Sequence, residues 1–155
     1  MAEESFPNEI ERALARPDAD KLVRQIDLYI AYDRSGAGDW PDDISDDLAE
    51  VLDADSRDPD KALAYVMIGL TRTEDAGFIG FLGASLLENS LESCSQEFLD
   101  RVTNEAKTNP RFRWMLSFPY RVAISEPAWE AIKEFRITGE HEEPSADTIP
   151  SRPRD

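Results

Sequence analysis

Apolar residues recur along most of this chain at the three- and four-residue spacing of an α-helix, and almost nowhere at the alternating spacing of a strand. Leu22, Ile26, Tyr29 and Ile30 fall at i, i+4, i+7 and i+8, and Asp33 closes the row as its one polar member. Ile44, Leu48, Val51 and Leu52 repeat the pattern, and so do Phe98, Leu99, Val102 and Ala106. Helix signals punctuate these stripes. Asn8 caps a first helix, Glu9 to Arg16, which Pro17 ends. Asp18 opens a second that runs to about Asp33, where "SGAGDWP" breaks it. Pro41 is placed as the first residue of a third helix, with Asp39 or Trp40 at its cap. Asp58-Pro59 repeats the cap-then-proline signal and starts a fourth through "DKALAYVMIGLTR".

A fifth helix begins near Thr73 or Asp75 and carries "GFIGFLGASLLENSL" to about Leu91. Ser95 caps a sixth, Asn109-Pro110 opens a short seventh, "RFRWML", and Ser125 precedes an eighth, "EPAWEAIKEF". "FPYRVAI", 118–124, has strand-like composition but no partner strand, so it is expected as an extended connection. The expected class is all-α: one compact domain of seven to eight helices over 1–138, arranged as a bundle or a short stack of helix pairs. Residues 139–155, acidic and with three prolines, lack any apolar period and are expected as a disordered or loosely draped tail.

The three glycines of the fifth helix raise the question of a phosphate loop. No β-rich run precedes Gly77, no Lys-Ser or Lys-Thr pair follows Gly83, and the G-x-G-x-x-G spacing is absent. Within a helix interior each glycine costs about 1 kcal/mol against alanine. Close approach of a neighbouring backbone offsets that cost. With Phe78, Ile79, Phe81, Leu82, Leu86 and Leu87 almost encircling the glycines, this helix is expected at the centre of the fold, packed against "ALAYVMIGL". The charge-free run Ala76–Leu87 is 12 residues long, too short to cross a bilayer. "MAEESFPNEI" has neither a basic nor an apolar leader region, which predicts no secretory signal and a soluble, cytoplasmic protein.

Charge then narrows the partners. Against 33 acids stand 17 bases, a net of −16, and residues 1–60 carry 18 of the acids. Such a surface repels nucleic acid and anionic membranes and speeds encounter with basic proteins. The acids are densest in 39–60, where Asp42, Asp46 and Asp53 on one side, and Asp43, Asp47 and Glu50 on the other, flank the apolar stripe of the third helix. This reads either as a solvated face or as a docking surface, with Asp39 at its edge and Trp40 as an aromatic anchor or a core staple.

Catalytic chemistry finds little to work with. The single histidine, His141, lies in the tail, so the usual Ser-His-Asp and Cys-His arrangements and multi-histidine zinc sites are missing. Cys94 is the only cysteine and has no basic sequence neighbour, so neither a disulfide nor an activated thiolate is expected. "DADSRDPDKALA" fails as a calcium loop, because Asp58 stands at its glycine position and Ala64 at that of the bidentate Glu. No metal site and no cofactor are expected. Glu88 stands out at the end of the apolar run, either as a solvent-edge carboxylate or as a partly buried acid with Arg111, Arg113 or Arg121 as partner.

"LLENSL" followed by "EAKTNPRFRWML" resembles a bacterial family of uncharacterised small domains that carry a G-P-L-E-x-L-L-like stretch and then A-x-x-(D/N)-P-x-F-R-x-x-L. Leu87, Glu88 and Leu91 match the first element, and Ala106, Asn109, Pro110, Phe112, Arg113 and Leu116 the second; Ser85-Leu86 replaces the Gly-Pro. The resemblance spans about 60–118 and implies a helical domain without an established activity. By size, charge and class the chain also resembles immunity proteins of bacterial toxin systems. The expectation is a non-catalytic inhibitor that neutralises a basic cognate toxin through residues 39–60. The alternatives are a nucleic-acid mimic that blocks a DNA-handling enzyme, an enzyme centred on Glu88 and nearby arginines, and a homo-oligomer module with Trp114 and Trp129 on an exposed face. The sequence leaves the oligomeric state open.

Overall fold

The computed structural model describes residues 8–36 and 42–151, with only the backbone described at 55–57. Among these residues the chain forms eight α-helices and no strand. They are α1 (Glu9–Leu14), α2 (Ala19–Ser35), α3 (Ser45–Arg57), α4 (Pro59–Arg72), α5, α6 (Gln96–Thr108), α7 (Pro110–Met115) and α8 (Glu126–Ile132). Helix α5 is continuous but composite: Ala76–Leu82, a π-helical turn Gly83–Leu87, and Glu88–Glu92. The caps are largely those the sequence announces. Side chains of Asn8, Asp58, Asp75, Ser95, Asn109 and Ser125 each accept a backbone N–H in the first turn of their helix. Gly36 ends α2 at φ 71°, in the left-handed region that glycine enters without penalty.

The centre is α4, not the glycine helix. Every residue from Ala62 to Leu70 is buried, and α1, α2, α3 and α5 all pack around it. Burying nine consecutive positions needs neighbours on all sides, and at roughly 1.5–3 kcal/mol per large side chain this row is the main hydrophobic contribution of a single element. Helix α5 lies one layer out. It buries Phe78, Ile79, Leu82, Leu86 and Leu87, but Phe81 is 40% exposed and Ala84 also faces solvent.

The glycines serve a different neighbour from the one expected. A Cβ on Gly80 would sit 2.5 Å from the ring of Phe118, and one on Gly83 would sit 2.8 Å from the carbonyl oxygen of Met115. Their close approach is therefore to the end of α7 and the turn beyond it. Where α4 meets α5 the glycine at the close approach is Gly69 of α4, whose Cβ would meet Leu82 at 2.4 Å.

Other boundaries shift by local causes. Helix α3 begins at Ser45, not Pro41: Asp42 to Ile44 form a turn, and Ser45 Oγ donates to the Asp42 carbonyl at 3.1 Å. Pro41 itself, with Asp39 and Trp40, lies outside the described residues. Helix α1 stops at Leu14, before Arg16, because Pro17 excludes the helical conformation from its predecessor. The 118–124 connection is not extended throughout, since Arg121–Ala123 make one 3-10 turn.

Past Gly139 the chain drapes across α5 and α7. Pro144 is buried, and the Trp114 indole N–H donates to Thr148 Oγ1 at 2.9 Å. Arg136 anchors the start of this stretch: its guanidinium donates to the carbonyls of Leu116, Pro119 and Gly139 and lies 5.5 Å over the Trp129 ring.

Candidate functional site

Helix α3 carries the acidic segment, and its geometry follows from one amphipathic pattern. Leu48, Val51 and Ala54 are buried against α2 and α4, so the acids to either side of that stripe stand at the helix flanks. The two flanks differ. Glu50 turns inward, 2.6 Å from Lys61 Nζ on α4 and 3.1 Å from Lys21 Nζ on α2, and accepts from the Tyr65 hydroxyl at 3.3 Å. The hydrogen bond from Lys61, together with those from Lys21 and Gln25 and against the opposing effect of burial, holds the Glu50 carboxyl at about 2. Asp47 takes the Gln25 amide at 3.1 Å and Arg24 at 3.3 Å. Tyr65, fully buried, donates to Gln25 Oε1, and burial followed by the nearby Glu50 charge pushes its phenol up. Asp47 and Glu50 thus clamp α3 onto its neighbours.

The rest of the predicted set faces outward. Asp42 and Asp43, in the turn before α3, are exposed, as are Asp46 in its first turn and Asp53 further along. Asp39 and Trp40, expected at the edge of this surface, fall outside the described residues. The clamp itself went unforeseen. Its signal was Gln25, an uncharged polar residue three positions after Leu22 on the apolar face of α2, where a buried amide must find partners.

Glu88 is half-buried and accepts a hydrogen bond from the Tyr120 backbone N–H at 3.1 Å. The arginines proposed for it act elsewhere. Arg111, 1% exposed, donates to the Thr73 carbonyl at 2.8 Å and pairs with Glu74. Arg113 donates to the Ala106 carbonyl at 2.6 Å, and Arg121 pairs with Glu140 and Glu126.

The other motif residues build a corner between α6 and α7. The Asn109 side chain accepts from Phe112 N–H at 3.1 Å and donates to Glu105 at 2.8 Å, while Pro110 supplies the first helical residue. Phe112, Leu87 and Leu91 are core. Each matched motif position therefore has a structural task. Trp114 is 1% exposed and Trp129 9%, so neither offers the exposed aromatic face that an oligomer module would use. Cys94 is half-buried, and burial raises its thiol, the opposite of activation.

A second charged cluster joins α1 to the body. Arg101 of α6 makes a two-pronged contact with Glu9, at 2.7 and 3.1 Å, and reaches Asp60 at 2.9 Å; Arg16 pairs with the same Asp60 and with Asp18. The adjoining cleft, about 490 Å³, sets Arg12, Arg101 and Lys107 against Glu9, Glu97 and Asp100, so its charges cancel. Among the described residues no group of three His, Cys, Asp or Glu is placed to hold a metal ion, and no helix is long and apolar enough to cross a membrane.

The sequence profile of DUF6869, a family of unknown function, matches residues 41–139, and the chain belongs to that family. The matched stretch runs from just before α3 to the end of the Arg136 anchor; α1 and α2, which pack on α4, precede it. No match was found among curated proteins or among solved structures.

Proposed function

We propose that this member of the family is a non-catalytic binding protein, an immunity-type inhibitor that neutralises a basic toxin domain by docking its acidic surface on it. The observation that carries the reading is the division of α3. Asp47 and Glu50 are spent on holding the helix in place, while Asp42, Asp43 and Asp46 remain exposed on a chain of net charge −16. A rigidly mounted anionic edge is what electrostatic steering toward a cationic partner uses. Burial of the motif residues supports the same reading, because their roles in capping and packing are already accounted for.

The test is co-expression with the protein encoded beside this gene. Wild type is expected to relieve that protein's growth inhibition. Asp42→Lys, Asp43→Lys and Asp46→Lys together should abolish the relief at unchanged helicity. Equal protection by the triple variant, or a neighbour with no toxicity, overturns the reading.

A further inference from the structure

Between α5 and the draped residues 143–146 lies an open groove of about 320 Å³. Ala76, Gly77, Gly80 and Ala84 line it along α5; the Phe118 ring presses on Gly80, while Gly77 and Ala84 are exposed and carry no large side chain. Phe81, Trp114 and Phe118 also line it; Trp114 and Phe118 are buried, so the open aromatic surface is that of Phe81, 40% exposed. The one charged lining residue is Glu143, which is exposed. Its carboxylate accepts from the Tyr120 hydroxyl at 3.2 Å, and among the described residues no basic side chain pairs with it.

Donors at this end of α5 are already committed. The N–H groups of Gly77 and Phe78 go to the Asp75 side chain, that of Ile79 goes to the Asp75 carbonyl, and the Trp114 indole N–H goes to Thr148. What remains for a guest is the Phe81 ring, the small apolar residues Ala76, Gly77 and Ala84, and one anionic acceptor. Such a lining rejects anions and rewards a donor-only cation on an apolar stem, since the Phe81 ring and the carboxylate both attract positive charge while the small apolar residues take the methylenes.

We infer that this groove receives an arginine or lysine side chain of the basic protein partner, stem against Phe81 and Ala84 and charged head at Glu143. The inference rests on the partner being basic, as proposed above, but places the anchoring contact away from α3. Charge complementarity selects this occupant: the lining carries a carboxylate that no basic side chain among the described residues pairs with, on a chain of net −16, and an arginine supplies both a cation and a planar group for the Phe81 ring.

The experiment is an NMR titration of the full chain with N-acetylarginine amide and with its uncharged isostere N-acetylcitrulline amide. It is followed on the Trp114 indole N–H and the backbone amides of Gly77, Phe81 and Ala84. Saturable shifts are expected with arginine, and binding about fivefold weaker or worse with citrulline. Glu143→Gln should weaken arginine binding about two- to fivefold, the range of an exposed ion pair, and leave citrulline unchanged. Ala84→Leu, at an exposed position, should block both at an unchanged melting temperature; if it unfolds the chain instead, Glu143→Gln still decides.

Equal binding of the two amides overturns the inference in favour of a neutral apolar guest. Groove signals that move on dilution without any ligand overturn it in favour of a second copy. Shifts confined to Asp42–Asp46 remove the groove and keep the α3 docking surface. Arginine binding in the groove, together with undiminished protection by the triple α3 variant, keeps the groove and removes that surface.

Discussion

Replacing each of four glycines by alanine separates helix propensity from steric fit, because the added Cβ meets a different obstacle in each case. Alanine gains about 1 kcal/mol over glycine in a helix interior. Overpacking takes back about 1–3 kcal/mol, at the upper end when the obstacle cannot move. At Gly83 the obstacle is backbone: the Met115 carbonyl oxygen lies 2.8 Å from the new carbon, with Met115 Cγ at 2.9 Å and Phe118 Cβ at 3.1 Å. Gly83→Ala should therefore destabilise by about 2 kcal/mol, or about 4–8 °C in melting temperature for a domain of this size.

At Gly80 the obstacle is the Phe118 ring edge at 2.5 and 2.7 Å, and that ring packs against Trp114 at a tilt of 59° with centroids 4.9 Å apart. A ring so held swings only by disturbing its neighbour, so about 1 kcal/mol of net loss is expected. At Gly69 the obstacle is the tip of Leu82, a terminal methyl that a rotamer change removes, and the two contributions should cancel. Gly77 is exposed, with only Asp75 Oδ1 at 3.2 Å nearby, and should become slightly more stable. Urea unfolding followed by circular dichroism at 222 nm measures all four. The order Gly83 worst, then Gly80, Gly69 and Gly77 is the prediction. A Gly83→Ala protein as stable as wild type would refute the packing of α5 on the end of α7.

Other residues make equally specific demands. Glu50 has a folded-state carboxyl at about 2, below its unfolded value near 4.5, so its pairing stabilises the fold above that unfolded value and is lost as pH falls toward 2. With the side chain 32% exposed the contribution is screened to about 1 kcal/mol, and Glu50→Gln should flatten the fall in urea-unfolding free energy between pH 5 and pH 2.5 by that amount. Asn109→Ala removes both the α7 cap and the donor to Glu105, and should cost about 1–2 kcal/mol by the same assay, while Asn109→Ser recovers the cap alone. Arg136→Met strips the carbonyls of Leu116, Pro119 and Gly139 of their shared donor and should raise hydrogen exchange in residues 137–149 well before it changes exchange in α4.

Local signals carried the fold further than they carried the site. A cap needs only four consecutive residues, so Asn8, Asp58, Ser95, Asn109 and Ser125 could be read directly, and the all-α class followed from the spacing of the stripes. Which helix occupies the middle is a different kind of fact. The glycine helix and α4 are both rich in apolar residues, and the choice between them was made by Phe118 and Met115, which lie more than thirty residues from Gly80 and Gly83 and claim the glycine face from outside. The Arg101–Glu9 contact spans 92 positions, and the carbonyl partners of Arg111 and Arg136 have no side-chain signature at all. Of the acidic site, the flanking of α3 was legible from the period of the helix. The split between inward and outward acids was not, because it depends on where Lys21 and Lys61 arrive from other helices.

That split extends to the whole charge inventory. The chain has half as many bases as acids, yet the described bases are largely turned onto its own structure. Arg16, Lys21, Arg24, Lys61, Arg72 and Arg101 join helices through carboxylates, Arg111 divides between the Thr73 carbonyl and Glu74, and Arg113 and Arg136 go to main-chain carbonyls. An arginine on a carbonyl keeps its positive charge and leaves the net at −16, but it sets that charge against the main chain, so more surface carboxylates stand without an ion-pair partner. Exposed pairs contribute little each to stability, so such a surface is poorly explained as a folding device. It acts at long range, where a field of one sign raises the encounter rate with a cation and fades with salt over about 8 Å at physiological ionic strength. Loss of association on raising the salt, at unchanged melting temperature, is therefore what the proposed docking of a basic protein on the acidic edge of α3 and the Glu143 groove requires.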